Sequence, residues 1–459
     1  MADVFSPTRQ ALTWRDLWIA LAQTERDLGV EIPEAAIAAM RATRDDIDLA
    51  RVAELESELR HDVMAHIQHF GERAPQARPY IHLGATSCFV TDNAGLIQLR
   101  DGLLIVRARL LASIAALSEF AHRYRALPTL GYTHWQPAQP TTVGKRASLW
   151  LQDLLTDLEQ VDLVLDELRF RGARGTTGTE DSFLQLLGGN DEKVDELNAR
   201  LAASFGFPGT YDVVGQTYPR KVDHRVLSTL AGIGASTSRF GQDVRLLQSY
   251  GEIEEPFGSR QIGSSAMPYK RNPMRSERIC SLARHLCTLQ LDAAWTAAVQ
   301  GFERTLDDSA NRRIAIPEAF LSADAILQLV SNVASGLVVH EAVIRTRLDH
   351  ALPFLVVERI LIAGVERGRD RQDLHERLRR HAMDARARLD EGAHDNDFFR
   401  RVEADEAIGL SMDELQELAD PEALVGRAPG QVERFLRDRV EPALEGGGGE
   451  NLGPAELRV

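Results

Sequence analysis

Between Ala147 and Leu168 the apolar positions run Ala147, Leu151, Leu154, Leu158, Val161, Leu165 and Leu168. The spacing alternates four and three, so all seven share one face of a helix. Leu96, Leu99, Leu103, Val106 and Leu110 repeat the habit. Val222, Val226, Leu230 and Ile233 open a third such helix, and Ile326, Val330, Val333 and Leu337 mark another. A seam this long cannot bury itself alone, and strand-like alternation is rare in the chain. The pattern predicts an all-α fold built on a bundle of long helices.

Chain breakers separate these helices. Loops fall at "PYIHLGATSCFVTDN", "LPTLGYTHWQPAQPTTVG", "FRGARGTTGTEDSF", "FGFPGTYDVVGQTYPRK" and "GSSAMPYKRNP", rich in Gly, Thr, Pro or Asn. Each holds more polar side chains than a connector requires. A chain of 459 residues is expected to form two or three domains. Beyond about Val339 the helical patterns are shorter and more charged ("RGRDRQDLHERLRRH"). The expected division is an N-terminal helical domain over 1–86, a central long-helix domain over 87–339 and a C-terminal helical domain over 340–459. The end of the last, "EGGGGENLGPAELRV", reads as a mobile tail. No internal repeat of fixed period is present.

The formal net charge of −15 argues against nucleic acid or an anionic membrane as the main partner. An anionic small molecule stays open, because a site answers to local charge. From Ser264 to Arg313, eight Lys/Arg stand against five Asp/Glu. That sign reversal points to a ligand carrying carboxylates or phosphate. Cys88, Cys280 and Cys287 are odd in number and lack metal-ligand spacing, as befits a reduced compartment. The segment "MADVFSPTRQALTW" has no apolar signal core, and no uninterrupted apolar run approaches the ~20 residues of a membrane span. A soluble, cytoplasmic protein is expected.

Four stretches could carry chemistry. In "GSSAMPYKRNP" Gly263 lets the backbone approach a ligand, Ser264 and Ser265 offer hydroxyls, Lys270 is a point charge and Asn272 a neutral donor and acceptor. Pro273 pre-sets a helix start, and that N-terminus, with Arg275 and Arg278, forms an expected anion site. In "GYTHWQPAQPTTVGK" His134 lies between Thr133 and Trp135, and histidine is the usual acid–base side chain near neutral pH. In "RHDVMAHIQH" the histidines are His61, His66 and His69; measured from His61 their spacing misses the i, i+4 pair of helical metal ligands. Arg60, His61 and Asp62 can still bind a polar ligand. In "FERTLDDSANRR" Arg304, Arg312 and Arg313 flank Ser309. No Walker-type loop, dinucleotide fingerprint or serine-hydrolase elbow is present, so redox and kinase chemistry find no support.

"GSSAMPYKRNP" resembles the signature loop of the fumarase/aspartase superfamily, whose members eliminate fumarate from succinyl compounds. Its extension "MPYKRNPMRSERICSLARHL", with "RHDVMAH", "HLGATSCFVTDN", "RFRGARGTTGT" and "FERTLDDSANRR", is similar to the adenylosuccinate lyase family, in the subgroup that includes the animal enzymes. The likeness runs from about Thr13 to Arg437. It implies a three-domain, nearly all-helical subunit around a central helix bundle. The implied activity is the splitting of adenylosuccinate to AMP and fumarate, together with the succinylated aminoimidazole carboxamide ribotide of purine synthesis. Both substrates carry two carboxylates and a phosphate.

Position by position, the resemblance implies Ser264 as the base and His134 as the general acid, with Lys270 and Asn272 holding the succinyl carboxylate. Arg60, His61, Asp62, Thr86, Ser87, Thr133, Gln216, Arg278, Arg304, Ser309 and Arg313 match substrate-contact positions. The family uses no metal or redox cofactor and is homotetrameric, with each site assembled from three subunits. Its N-terminal Arg-Tyr-type phosphate segment has no counterpart in a chain that opens "MADVFSPTRQ"; the expected consequences are weaker phosphate binding, use of Arg9 or Arg15 in its place, or a sequence shortened relative to its native form. Two alternatives stand beside this reading. A sister lyase acting on argininosuccinate is disfavoured by "RSERICSLARHL" and "FERTLDDSANRR", which extend beyond the shared loop. A catalytically silent structural homologue is disfavoured by the presence of both Ser264 and His134.

Overall fold

The computed structural model describes residues 1–446; most of the glycine-rich tail lies outside the described residues. The chain opens with α1 (Pro7–Asp27), α2 (Glu34–Ala42), α3 (Leu49–Leu59) and α4 (Asp62–Arg73). Next come α5 (Ser87–Arg123), a hairpin of β1 (Pro128–Thr133) and β2 (Gln136–Thr142), and α6 (Val143–Glu167). The short α7 (Asp181–Leu186) and α8 (Asp191–Ser204) precede α9 (Lys221–Ser249). The two-residue strand β3 (Ile253–Glu254) leads to α10 (Met274–Ala298) and α11 (Asp308–Gly336). Then β4 (Val338–Val339) pairs antiparallel with β3, and α12 (Glu341–Leu355), α13 (Val357–Glu366) and α14 (Arg371–Asp390) begin a run of helices that continues to Glu445.

The apolar seams are the cause of the long helices. Leu96, Leu99, Leu103, Val106 and Leu110 of α5 are all buried, as are Ala147, Leu151, Leu154, Leu158 and Val161 of α6. At 37 residues, α5 is roughly 55 Å long at the helical rise of 1.5 Å per residue. The expected boundaries at 86/87 and 339/340 fall at the start of α5 and just before α12. Starts are capped where the sequence offers an acceptor: Ser6 takes the Arg9 N–H at 3.1 Å, with Pro7 at the first helical position. By composition α11 is long and apolar enough to cross a bilayer, yet it lies mostly buried in the protein and carries Asp324, paired with Arg109 at 3.0 Å.

The described residues pack into two compact units. The first takes Met1–Arg109, Thr156–Ala235 and Ser281–Leu327; the second takes Leu110–Leu155, Ser236–Cys280 and the chain from Gln328 onward. In the first, Trp18, Phe70, Phe89, Phe170, Phe183 and Phe320 are fully buried. In the second, Leu348, Val356, Ile360, Leu374, Leu378, Phe398, Val402 and Leu415 form one cluster with Leu130 of β1.

The stretch "LPTLGYTHWQPAQPTTVG", expected as a loop, is the β1–β2 hairpin. Its prolines and glycine hide the strand signal, and Pro137 and Pro140 are tolerable because the two-stranded ribbon consists of edges.

One buried group of the first unit sets a pH dependence. Glu25 of α1 is fully buried, and neither carboxylate oxygen has a hydrogen-bond partner among the described residues. Burial pushes this carboxyl up to about 8. The folded chain therefore holds a proton that the unfolded chain releases near pH ~4.3. The stabilising contribution is complete below that value and is lost as pH rises toward 8. Glu25→Gln is expected to raise the thermal unfolding midpoint at pH 8 by several degrees and to leave it nearly unaltered at pH 4.5. An equal shift at both values rules out titration of Glu25 as the cause.

Candidate active site

In the first unit, six of the expected residues gather where helices begin. Arg60 ends α3 with a left-handed φ of 54°, and His61 then caps α4. His61 Nδ1 accepts the Met64 N–H at 3.3 Å, which places the neutral ring's proton on Nε2, 3.5 Å from Ser87 Oγ. Asp62 accepts from Arg313 at 3.0 Å, bringing the second turn of α11 to the start of α4. Thr86 and Ser87 open α5, the Thr86 carbonyl accepting the Phe89 N–H at 2.8 Å. Helix N-termini and an arginine together favour an anion.

Gln216 is held at every polar end. Its Oε1 accepts from Cys88 Sγ at 3.3 Å, its Nε2 donates to the Thr176 carbonyl at 2.9 Å, and its backbone N–H donates to the Glu303 carbonyl at 2.9 Å. Burial pushes the Cys88 thiol up to about 11, with Asp92 acting in the same direction, so the thiol stays a neutral donor. Arg171, with no solvent exposure, donates to the carbonyls of Gln216, Gly172 and Gly175 at 2.7, 3.0 and 2.9 Å. Arg174 donates to Thr210 Oγ1 and the Tyr211 carbonyl at 2.8 and 2.7 Å. Arginines thus lace together the two glycine-rich loops that the sequence presents separately. Gly178 permits the crossing: a Cβ there would lie 1.9 Å from the Val214 carbonyl oxygen.

Beneath Arg304 and Ser309 runs a buried ionic network that sequence reasoning missed. Arg220 donates to Asp308 at 2.6 Å and, through both terminal nitrogens, to Asp92 at 3.0 and 3.1 Å. Tyr218 donates its hydroxyl to Asp223 at 2.6 Å, and Arg312 donates to Asp223 at 2.7 Å and to the Tyr218 oxygen at 2.6 Å. Arg304 donates to the other oxygen of Asp308 at 2.8 Å. Burial alone pushes the Asp92 carboxyl up, but Arg220 and Arg312 outweigh it and hold it below the usual range. This network fixes the first turn of α11. Removing one partner leaves an uncompensated buried charge, at a cost of about 3–5 kcal/mol.

The second unit carries the remaining residues. Thr133 pairs with Gln136, so His134 and Trp135 form a two-residue hairpin turn. Their φ values are 51° and 61°, a conformation such turns normally assign to Asn-Gly. Non-glycine residues held there cost on the order of 1–3 kcal/mol each. The His134 ring is exposed and makes no hydrogen bond among the described residues. The signature loop closes on itself: Asn272 Nδ2 donates to the Gly263 carbonyl at 2.7 Å, and Lys270 N–H to the Met267 carbonyl at 3.0 Å. A Cβ at Gly263 would stand 2.1 Å from the Lys270 carbonyl oxygen, so only glycine fits that neck. Inside the loop, Ser264 Oγ accepts the N–H groups of Ala266 and Met267 at 3.3 and 3.1 Å. Lys270 and Arg278 are exposed.

Several expectations change. The N-terminus of α10 is not open to a ligand anion: buried Glu255 accepts from Arg275 N, Ser276 N and Ser276 Oγ at 3.0, 2.9 and 2.9 Å. Arg15 cannot serve a phosphate. It is 2% exposed, donates to the Thr43 and Arg44 carbonyls and covers the Phe70 ring at 4.5 Å. Arg9 pairs with Asp3 at 2.6 Å. The three clustered histidines have separate tasks: His61 caps α4, His66 packs edge-on against Trp14 at 4.9 Å, and His69 Nε2 accepts the Asp48 N–H at 3.0 Å. Burial pulls His66 down to about 4, so it remains neutral.

Comparison with known proteins follows the same lines. A family model described as lyase matches residues 13–287, and one described as adenylosuccinate lyase C-terminus matches residues 353–435. The chain is 49% identical to an adenylosuccinate lyase of Saccharomyces cerevisiae, over 97% of this chain and 93% of the relative. It is 47% identical to one of Schistosoma mansoni, over 96% and 92%. Among solved structures, a 3-carboxy-cis,cis-muconate lactonizing enzyme from Pseudomonas putida superposes with a TM-score of 0.85 at 24% identity, covering 98% of this chain and 97% of that one. That likeness concerns the fold alone.

Proposed function

Because the chain belongs to the adenylosuccinate lyase family, we propose that it splits adenylosuccinate to AMP and fumarate by β-elimination, and splits the succinylated aminoimidazole carboxamide ribotide in the same way. The observation that carries the chemistry is the Ser264 hydroxyl, whose oxygen faces two backbone N–H groups in a loop that also bears Lys270. A serine hydroxyl is too weakly acidic to act as a base unaided. Hydrogen bonds donated to its oxygen favour the charged form, and a nearby ammonium group does the same. The alkoxide removes the proton from the carbon next to a carboxylate. Charge then develops on that carboxylate, where Lys270 and the amides of the loop stabilise it more than they stabilise the ground state. His134 protonates the departing nitrogen, so that nitrogen need not leave as an anion. Arg60, His61, Asp62, Thr86, Ser87, Gln216, Arg304, Ser309 and Arg313 bind the nucleotide and carboxylates, with Arg278 and Thr133.

The protein acts as a cytoplasmic homotetramer with shared sites. Exposed apolar side chains on long helices, among them Leu104, Leu149, Leu163, Leu291 and Trp295, support burial against other copies. Three free thiols support a reduced compartment.

One assay tests the activity. The purified chain lowers absorbance at the adenylosuccinate band and releases fumarate. Activity on argininosuccinate alone identifies a sister lyase, and inactivity on every succinyl adduct a silent homologue. Arg278→Ala and Arg304→Ala are expected to raise KM about tenfold or more with a smaller change in kcat, because they hold charge common to ground and transition states. Arg304→Ala also lowers the unfolding midpoint, since it strips a partner from buried Asp308. A pure kcat defect in Arg278→Ala contradicts the assignment.

A further inference from the structure

We propose that Arg347 of α12 is a positioning residue for the hairpin that presents His134, and that the segment starting at Glu252, which it also grips, sets the Ser264 loop; the link to catalysis rests on the reading above. Arg347 Nε donates to Glu252 Oε1 at 2.7 Å, and its terminal nitrogen donates to the Tyr132 hydroxyl at 3.0 Å. Its guanidinium covers the Tyr250 ring at 4.4 Å, and Tyr250 stacks on Tyr132 at 5.5 Å. Tyr132 stands two residues before His134 on β1. A second arginine holds the same strand: Arg146 donates to the Leu130 carbonyl at 2.7 Å. Glu252 is 1% exposed, and the attraction of both arginines offsets part of its burial.

The strained turn explains why such a grip is needed. Two non-glycine residues at positive φ persist only where the surroundings over-determine them. Arg347 supplies that constraint in a form one side chain can satisfy only with a planar fork: one edge on a buried carboxylate, the other on a phenol, one face on an aromatic ring. The segment that begins with Glu252 continues toward the Ser264 loop. Glu254 pairs with Arg271 at 3.0 Å, Glu255 caps α10, and the His340 N–H binds the Glu252 carbonyl at 2.9 Å. Three glutamates within four residues thus serve the acid-bearing hairpin, the base-bearing loop and the helix that follows it.

The test uses the full chain with Arg347→Met, Arg347→Lys, Tyr132→Phe and the Arg347→Met/Tyr132→Phe pair. Arg345→Met on the same helix, where Arg345 pairs with exposed Asp349, is the control. Hydrogen exchange across residues 128–142 is expected to accelerate about tenfold in Arg347→Met and to stay unchanged in Arg345→Met. On adenylosuccinate, kcat falls about 30-fold in Arg347→Met with KM within about threefold, the size of effect that a small misplacement produces. Arg347→Lys recovers part of the loss, and the double variant is no worse than Arg347→Met alone. Unchanged exchange in the hairpin overturns the proposal whatever the activity. Faster exchange with unchanged kcat, or losses that multiply in the double variant, overturns the catalytic link. If the wild-type chain leaves adenylosuccinate intact, the functional reading fails, and the exchange result still decides whether Arg347 holds the hairpin.

Discussion

Ser264→Ala is expected to lower kcat on adenylosuccinate about 10³-fold or more, equivalent to roughly 4 kcal/mol of barrier, while substrate affinity changes by no more than a few fold. The hydroxyl is small and sits in a loop whose neck is closed by Asn272 and Gly263, not by the serine itself. Its removal leaves the loop's backbone closure and Lys270 in place and deletes the group that takes the proton. An interaction made only in the transition state is lost, so kcat and kcat/KM fall together. Steady-state kinetics paired with calorimetric titration of the inactive variant separates the two quantities. A kcat that barely moves places the base elsewhere, and Ser265 is then the next residue to replace.

The second large effect concerns His134. His134→Gln removes the general acid, a loss of about 10²–10⁴-fold. Mixed with the Ser264→Ala variant and reassembled, it is expected to regain about a quarter of wild-type activity. That is the fraction of sites drawing an intact serine from one chain and an intact histidine from another in a randomly mixed symmetric oligomer. The exposed position of His134 at a hairpin tip, unpartnered by hydrogen bonds among the described residues, suits a side chain offered to a neighbouring copy. No recovery in tetramers shown to be mixed counts against shared sites.

The long helices were legible because burial on one face writes a period into the sequence, and Leu96 to Leu110 carry it without interruption. The signature loop was legible because its serines, lysine, asparagine and prolines stand next to each other in the chain. The Asp92–Arg220–Asp308 network was not. Its members lie 128 and 88 residues apart, and a charged residue read in isolation is assigned to solvent. The hairpin was hidden for a different reason: prolines and a His-Trp turn break the rules by which strands and turns are recognised. Glu255 misled in the same way, since nothing local reveals that a carboxylate twenty residues upstream occupies the start of α10.

The His134–Trp135 turn also bears on how this protein can be engineered. A library sorted for heat resistance alone would drift toward Asn-Gly at these two positions, because that pair relaxes the backbone without disturbing β1 or β2. The survivors would be sturdier and inert. Selection schemes must therefore score turnover alongside survival, or hold these two codons fixed.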